Sequence, residues 1–290
     1  MKQYLGMAGL LLVTIIWGGG FVASDMALET LTPFQIMAVR FLIAALLMTF
    51  LGRKQIRTIT KEEAKCGFWL GAALFGGFAL QIIGLQYTTP SKNAFLTATN
   101  VVLVPFIALV FYRKKIAARS LVGAVMAVIG AGVLSLQSDF SLGLGDGLTL
   151  LCAVCFALQI FLTGEYVDRI RPTVLNFLQM TTACGLSILG MVLAGDFAFH
   201  ASTRSILGVL YLGVVSTSVS YLLQTASQKY VDETRSAIVL SLEAVFGTVF
   251  SVILLHETIT TRMVIGSALI LSAVLVSQLP SRKERQKAAA

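Results

Sequence analysis

The chain has 290 residues, 57% of them apolar and 12% charged, with a mean hydropathy of +0.85 and a formal charge of +8. Charged residues make up about a quarter of an ordinary soluble domain, so this composition excludes one. The apolar residues also gather in runs too long and too numerous for soluble cores.

Taken in order, the first half predicts membrane-spanning helices near Tyr4–Ser24, Phe34–Leu51, Gly67–Gln86, Asn93–Tyr112 and Ser120–Leu136. The second half predicts five more, near Gly145–Thr163, Val174–Ala194, Ile206–Gln224, Ser236–Leu255 and Met263–Leu279. Each run of about 17–22 residues can cross about 30 Å of hydrocarbon at about 1.5 Å per residue. With the N-terminus inside, the inner segments hold Lys2, the cluster Arg53 to Lys65, the run Arg113 to Arg119, Arg169, Arg171, Lys229, Arg235 and the basic tail. The outer segments hold only Lys92, Arg204 and Arg262. The positive-inside rule therefore predicts cytoplasmic N and C termini, and the charge of +8 reads as a topology signal rather than a nucleic-acid footprint. The first run lacks an Ala-x-Ala site and does not read as a cleaved signal peptide. No loop is long enough to fold as a domain, so any chemistry is expected within the helices.

The chain also repeats itself. At an offset of 143, Gln81 falls on Gln224, Tyr87 on Tyr230, Lys92 on Arg235, Asn100 on Glu243, Ile116 on Ile259, Arg119 on Arg262 and Gly123 on Gly266. Earlier in each half the offset is 139, which carries Trp17 to Phe156 and Pro33 to Pro172. This predicts two units, residues 1–137 and 145–279, joined by a loop at 138–144 and followed by a basic cytoplasmic tail at 280–290. Five spans per unit is an odd number, so the second unit crosses in the opposite sense. The expected fold is all-α and integral to the membrane, with ten transmembrane helices as two inverted five-helix repeats. Inverted repeats place a substrate site near the midplane, at the repeat interface.

Candidate site residues are those too polar for their depth. Glu243 lies near the midplane, where a charge costs on the order of 3 kcal/mol even on lenient insertion scales, so it should face the interior. Burial favours a neutral carboxyl, and a carboxyl that loads and releases a proton could exchange it for substrate. A Glu that merely ties helices is the alternative. Asn100, its repeat mate, cannot titrate and either lines the same cavity or bonds helices together. Arg40 could pair with Glu243, bind a substrate carboxylate or serve as a structural tie. Gln81, Gln224 and the polar run from Ser216 to Tyr221 fit either a polar path or interhelical hydrogen bonds. Trp17 is deeper than an interfacial belt, and Gly18, Gly19 and Gly20 behind it permit close approach or a hinge. Phe21, Phe75, Phe78 and Tyr221 are its expected aromatic neighbours, an arrangement suited to amphipathic or cationic ligands. Pro105 predicts a kink in the fourth span, as a hinge or a static bend. Gly123 and Gly130 are expected to pack the fifth span on the tenth.

Other apparent motifs are discounted. Cys152 and Cys155 lie inside a span with no second ligand pair, and His200 and His256 are isolated, so no metal site is expected. Gly143 to Gly147 is too short for a nucleotide loop, and Asp146 is expected to cap the sixth span.

The segment Trp17-Gly18-Gly19-Gly20-Phe21 with Pro33 and Arg40, then Gly145-Asp146 and Phe156-Ala157, then Ser241 to Phe246 and His256-Glu257-Thr258-Ile259 with Gly266, resembles the EamA-type branch of the drug/metabolite transporter superfamily. The resemblance covers essentially the whole chain. It implies a carrier with a central cavity for small amphipathic metabolites or drugs, amino-acid-like compounds among them. It also implies that Arg40 is structural. Two departures stand out. Ala244 occupies a position where many relatives carry proline, which predicts a straighter ninth span, and Arg113-Lys114-Lys115-Ile116 replaces a frequent Gly-Glu pair.

The leading expectation is a secondary transporter of the plasma membrane, working by alternating access as an exporter, with protons as coupling ion through Glu243. Uncoupled facilitation is the alternative. A membrane enzyme would need convergent acids, histidines or metal ligands at one face, and a signalling scaffold would need a cytoplasmic domain. The expected partners are the bilayer and a small-molecule substrate, with no nucleic acid and no cofactor. The assembly is a monomer or a homodimer.

Overall fold

A computed structural model of the chain describes residues 2–113, 118–135 and 143–278. Lys114 to Ile116 of the basic run, most of the expected inter-repeat loop and the tail 280–290 lie outside the described residues. The described residues are helical, with no strand among them. In chain order the helices are α1 (Lys2–Leu28), α2 (Pro33–Ile56), α3 (Lys61–Leu85), α4 (Pro90–Thr97), α5 (Asn100–Tyr112), α6 (Ala118–Ser135), α7 (Leu144–Tyr166), α8 (Pro172–Ala194) and α9 (Thr203–Leu210). A π-helical segment, Tyr211–Val219, then leads into α10 (Ser220–Gln228), α11 (Glu233–Leu240), α12 (Glu243–Leu254) and α13 (Thr261–Gln278).

The helix starts are written locally. Before α2, Thr32 Oγ1 accepts from the Gln35 N–H and Gln35 Oε1 accepts from the Thr32 N–H, a reciprocal cap. Pro33 fills the first helical position, where its missing N–H costs nothing. Thr60 with Glu63 repeats the device before α3, and Thr89 with Pro90 opens α4. Asp146 does not cap α7 as expected. Gly143 holds that position, and the Asp146 carboxylate pairs instead with Lys92 Nζ at 2.8 Å and the Thr88 hydroxyl at 2.9 Å. A cation within reach outweighs a backbone N–H as partner, and the pair ties α7 to the start of α4.

Seven helical stretches among the described residues are long and apolar enough to cross a membrane by length and composition, including Pro90–Phe111 and Thr203–Gln228 taken as continuous rods. The remaining expected spans fall on α6, α11 with α12, and α13, whose apolar stretches are shorter. Large apolar side chains such as Leu46, Phe50, Leu151, Leu193 and Val110 are exposed, while Gln35, Arg40, Gln159, Asn176 and Gln179 are buried. That inversion of the soluble pattern suits a lipid solvent, which rewards apolar outsides and requires internal partners for polar groups. The molecule is an all-helical integral membrane protein.

Contacts at the helix ends sort the bundle into two sides. At one side Gln35 Nε2 donates to the Asp196 and Ala198 carbonyls, Thr30 meets Ser205, and Ser91 donates to Glu257. At the other, Arg171 reaches Thr58 and Glu63, and Gly6 abuts Ser227 and Val231. These are the Leu28 side and the Lys2 side below. Close approach between helices is bought by small residues: a Cβ at Gly71 would lie 2.5 Å from Thr182 Cβ on α8, and one at Gly130 would lie 2.9 Å from the Gly266 carbonyl on α13.

Both α4–α5 and α11–α12 are single rods broken in the middle. Around Ala98–Thr99 the N–H groups of Thr99, Val101 and Val102 bond to carbonyls three residues back, at 3.2, 3.2 and 3.0 Å. Around Ser241–Leu242 those of Leu242, Ala244 and Val245 do the same at 3.0, 3.2 and 3.0 Å. These are the same positions at the 143 offset, tightened to 3₁₀ geometry. The fourth rod is thus interrupted ahead of Pro105, and the ninth rod, expected to be straighter for its Ala244, is interrupted at the matching place. Proline is not the cause: the repeat mate of Pro105 is Thr248, whose hydroxyl bonds back to the Ala244 carbonyl, and that rod breaks as well.

Candidate functional site

Each break delivers one polar residue to the interior. Asn100 begins α5 and Glu243 begins α12. Both line one cavity, together with Trp17, Gly20, Phe21, Ser24, Arg40, Phe78, Gln81, Ile82, Leu85, Asn93, Phe156, Gln159, Ile160, Leu212, Ser216 and Tyr221. Ser24, Leu85 and Asn93 lie near helix ends on the Leu28 side, so the cavity runs from the middle of the bundle toward that side.

The aromatic neighbours come as repeat mates. Trp17 falls on Phe156 and Phe78 on Tyr221. The Trp17 ring meets that of Tyr221 at 5.0 Å, and Phe78 meets Phe156 at 5.0 Å and Tyr221 at 6.3 Å. Trp17 Nε1 donates to the Ser216 carbonyl at 2.8 Å. That carbonyl belongs to the π-helical segment, whose wider turn is stabilised by hydroxyls: Ser218 donates to the Gly213 carbonyl and Ser220 to the Val215 carbonyl, each five residues back. The polar run in this rod is thus partly backbone support.

Arg40 is 1% exposed. Its Nε and Nη2 both donate to Thr217 Oγ1, at 3.0 and 2.8 Å, and its guanidinium lies 3.9 Å from the centre of the Phe78 ring. Holding a cation in the membrane costs on the order of 3 kcal/mol. A desolvated cation–π contact returns about 2 kcal/mol and a hydrogen bond to a charged group about 1.5–3 kcal/mol, so the site is close to balanced with no counter-ion. The pairing of Arg40 with Glu243 that the sequence allowed does not occur: no ion pair joins them among the described residues. Glu243 is 6% exposed and begins α12, just past the break in its rod. Asn100 Oδ1 and Asn93 Oδ1 are buried acceptors without a partner. The cavity therefore has a donor pole at Arg40 and an acceptor pole at Glu243, Asn100 and Asn93.

Of the other expected site residues, Gln81 lines the cavity and its Nε2 donates to Thr97 Oγ1 at 3.1 Å. Gln224 does not line it. It sits behind Gln159, to whose Oε1 it donates at 3.4 Å. Helix α1 runs unbroken through the three glycines, which serve close approach: a Cβ at Gly18 would lie 2.5 Å from Phe246 Cβ, one at Gly19 2.7 Å from the Tyr211 hydroxyl, and only Gly20 reaches the cavity. Sequence reasoning passed over Gln159 and Asn93. Gln159 is an amide deep in an apolar run, as Gln81 is, but it lacks the recurrence at the repeat offset that singled out Gln81 and Gln224.

The family model of the EamA-like transporter family matches residues 4–136 and again 143–278. A relative from Archaeoglobus fulgidus, described as an uncharacterized transporter, is 34% identical over 96% of this chain and 87% of its own. The "Probable amino-acid metabolite efflux pump" of Salmonella typhimurium is 25% identical over 95% of each chain. A crystal structure at 17% identity superposes with a TM-score of 0.76, over 97% of this chain and 98% of that one, and so shares the fold. With two matches to the family model that together take in nearly all of its length, this chain belongs to the EamA-like transporter family.

Proposed function

We propose that the protein is a ten-span, inverted-repeat secondary transporter of the plasma membrane that exports small amphipathic metabolites, amino-acid-like compounds first, by alternating access. The observation that carries this reading is the dipolar cavity: a buried guanidinium and a buried carboxyl line one space without pairing. A zwitterion satisfies both, its carboxylate on Arg40 and its ammonium at Glu243 with Asn100 and Asn93. Thr217 and Phe78 already come close to balancing the Arg40 cation, so the ligand adds most at the other pole, where its ammonium supplies a counter-charge for Glu243. The efflux-pump relative supports the same ligand class. The resident cation on the face of Phe78 speaks against lipophilic cations, since that ring face is already occupied.

In this reading the Lys2 side is cytoplasmic and the cavity faces outward, and Glu243 is the residue through which protons couple. An incoming proton neutralises Glu243 and weakens its hold on an ammonium group, so proton entry and substrate release are linked at one carboxyl. The test is substrate and proton flux in proteoliposomes, with amino acids and lipophilic cations as candidates, for wild type and Glu243→Gln. Proton movement that follows an amino acid and is lost in the variant is the expected result. Substrate movement without proton flux, unchanged in the variant, would make the protein a facilitator. Movement of lipophilic cations alone would remove the zwitterion assignment.

A further inference from the structure

Between the cavity and the Lys2 side lies a second polar feature. Gln159 Nε2 donates to Thr163 Oγ1 at 3.1 Å and to Gln179 Oε1 at 3.3 Å. Gln179 Nε2 donates to Asn176 Oδ1 at 2.7 Å, and Asn176 Nδ2 donates to Thr225 Oγ1 at 2.8 Å and to the Pro172 carbonyl at 2.9 Å. Gln228 Nε2 donates to the Ile160 carbonyl at 3.1 Å. The result is a buried, uncharged file of amides and hydroxyls from α7, α8 and α10. It runs from the cavity floor at Gln159 to the first turn of α8. Two of its acceptors, Gln224 Oε1 and Gln228 Oε1, have no partner.

The repeat identifies what this file is. At the 139 offset Gln159 falls on Gly20, Thr163 on Ser24 and Gln179 on Arg40. At the 143 offset Gln224 falls on Gln81, Thr225 on Ile82 and Gln228 on Leu85. All of these mates line the cavity; of the file, only Asn176 has a mate, the buried Met37, that does not. Residues that are mates in sequence thus surround open space on the Leu28 side and a closed hydrogen-bonded file on the Lys2 side.

We infer that the file is the closed wall of a second half-cavity, which opens toward the Lys2 side and takes the same ligand when the present cavity closes. The inference rests on the alternating-access reading above. The wall is amide-lined and has Gln179 where the open side has Arg40, so it engages polar N–H and C=O groups without a fixed charge. The unpartnered Gln224 and Gln228 oxygens are acceptors for a ligand ammonium. A ligand carboxylate gains no second cation there, which makes this half the low-affinity side.

Single cysteines test it, in a variant lacking Cys66, Cys152, Cys155 and Cys184 that is first shown to transport. Thr163→Cys and Gln179→Cys probe the file, Ser24→Cys its open mate, and Ala183→Cys a fully buried position of α8 outside the file. A membrane-impermeant thiol reagent is applied to right-side-out and inside-out vesicles while an amino acid is transported. Thr163→Cys and Gln179→Cys are expected to react from inside about tenfold faster than Ala183→Cys, reporting a minor open state, and Ser24→Cys is expected to react from outside. Thr225→Cys, of similar size, reports the same wall if Thr163→Cys does not fold. Transport with a reactive Ser24→Cys, but file cysteines as inert as Ala183→Cys, would overturn the inference and leave the transporter reading standing. No transport of any candidate with Ser24→Cys inert from both sides would instead defeat that reading.

Discussion

At the scale of single residues, Arg40 is the test of how a membrane cavity keeps a charge. Its guanidinium relies on one hydroxyl and on the rings of Phe78 and, farther off, Phe41, so Thr217 is a positioning residue for the donor pole. Thr217→Val keeps the shape and removes the acceptor. A hydrogen bond to a charged group is worth about 1.5–3 kcal/mol, which predicts a rise in the substrate KM of roughly ten- to a hundredfold with a smaller change in kcat. Thr217→Ser keeps the hydroxyl and should restore the KM. Equal loss in both variants, or none in either, would assign Thr217 to packing alone. Arg40→Lys is expected to fare worse than Thr217→Ser, because an ammonium presents no flat face to Phe78 and no second nitrogen to Thr217.

At the scale of elements, the two broken rods set the cavity's acceptor pole, and their breaks owe nothing to proline. Pro105→Ala should therefore keep the break at Ala98–Thr99 and transport within a fewfold of wild type. A greater than tenfold loss in initial rate would show that the proline does hinge the rod. Helix contacts are less forgiving. At Gly71 an added Cβ meets Thr182 Cβ and the Gln179 carbonyl at 2.5 and 2.7 Å, so Gly71→Ala should lower the melting temperature in detergent, with a cost of about 1–3 kcal/mol for overpacking. These elements also mark where the sequence stopped being readable. The runs, the repeat and the intramembrane Glu243 and Arg40 stand out because polarity at depth is rare. The breaks carry no such mark, since Ala98-Thr99 and Ser241-Leu242 include neither glycine nor proline and depend on tertiary packing. The same holds for Gln224, whose place behind Gln159 depends on helix rotation: polar residues fall all round its rod from Ser216 to Gln228, so their pattern does not mark which face meets the cavity.

At the scale of the whole molecule, the proposed second half-cavity turns on how the two stretches that match the family model differ at paired positions. Gly20 and Gln159 are the sharpest instance. Gln159 donates to Gln179 and accepts from Gln224. Gly20 has no side chain, and its α1 backbone faces the cavity and Ser216. Gly20→Gln should therefore impose on the Leu28 side the closure that Gln159 gives the Lys2 side. A Cβ at Gly20 would lie 3.0 Å from Ser216 Oγ, a contact a rotating hydroxyl can relieve, so the variant is expected to fold. Transport should fall at least about tenfold, the effect of biasing a two-state equilibrium by about 1.4 kcal/mol. Reaction of Ser24→Cys from outside should slow in parallel, while reaction of Gln179→Cys from inside should quicken. Gly20→Ala, which adds the Cβ without the amide, separates crowding from closure: it should slow Ser24 labelling little. If Gly20→Gln slows labelling on both sides together, the two half-cavities are not coupled, and the likeness of the repeats records their ancestry rather than their motion.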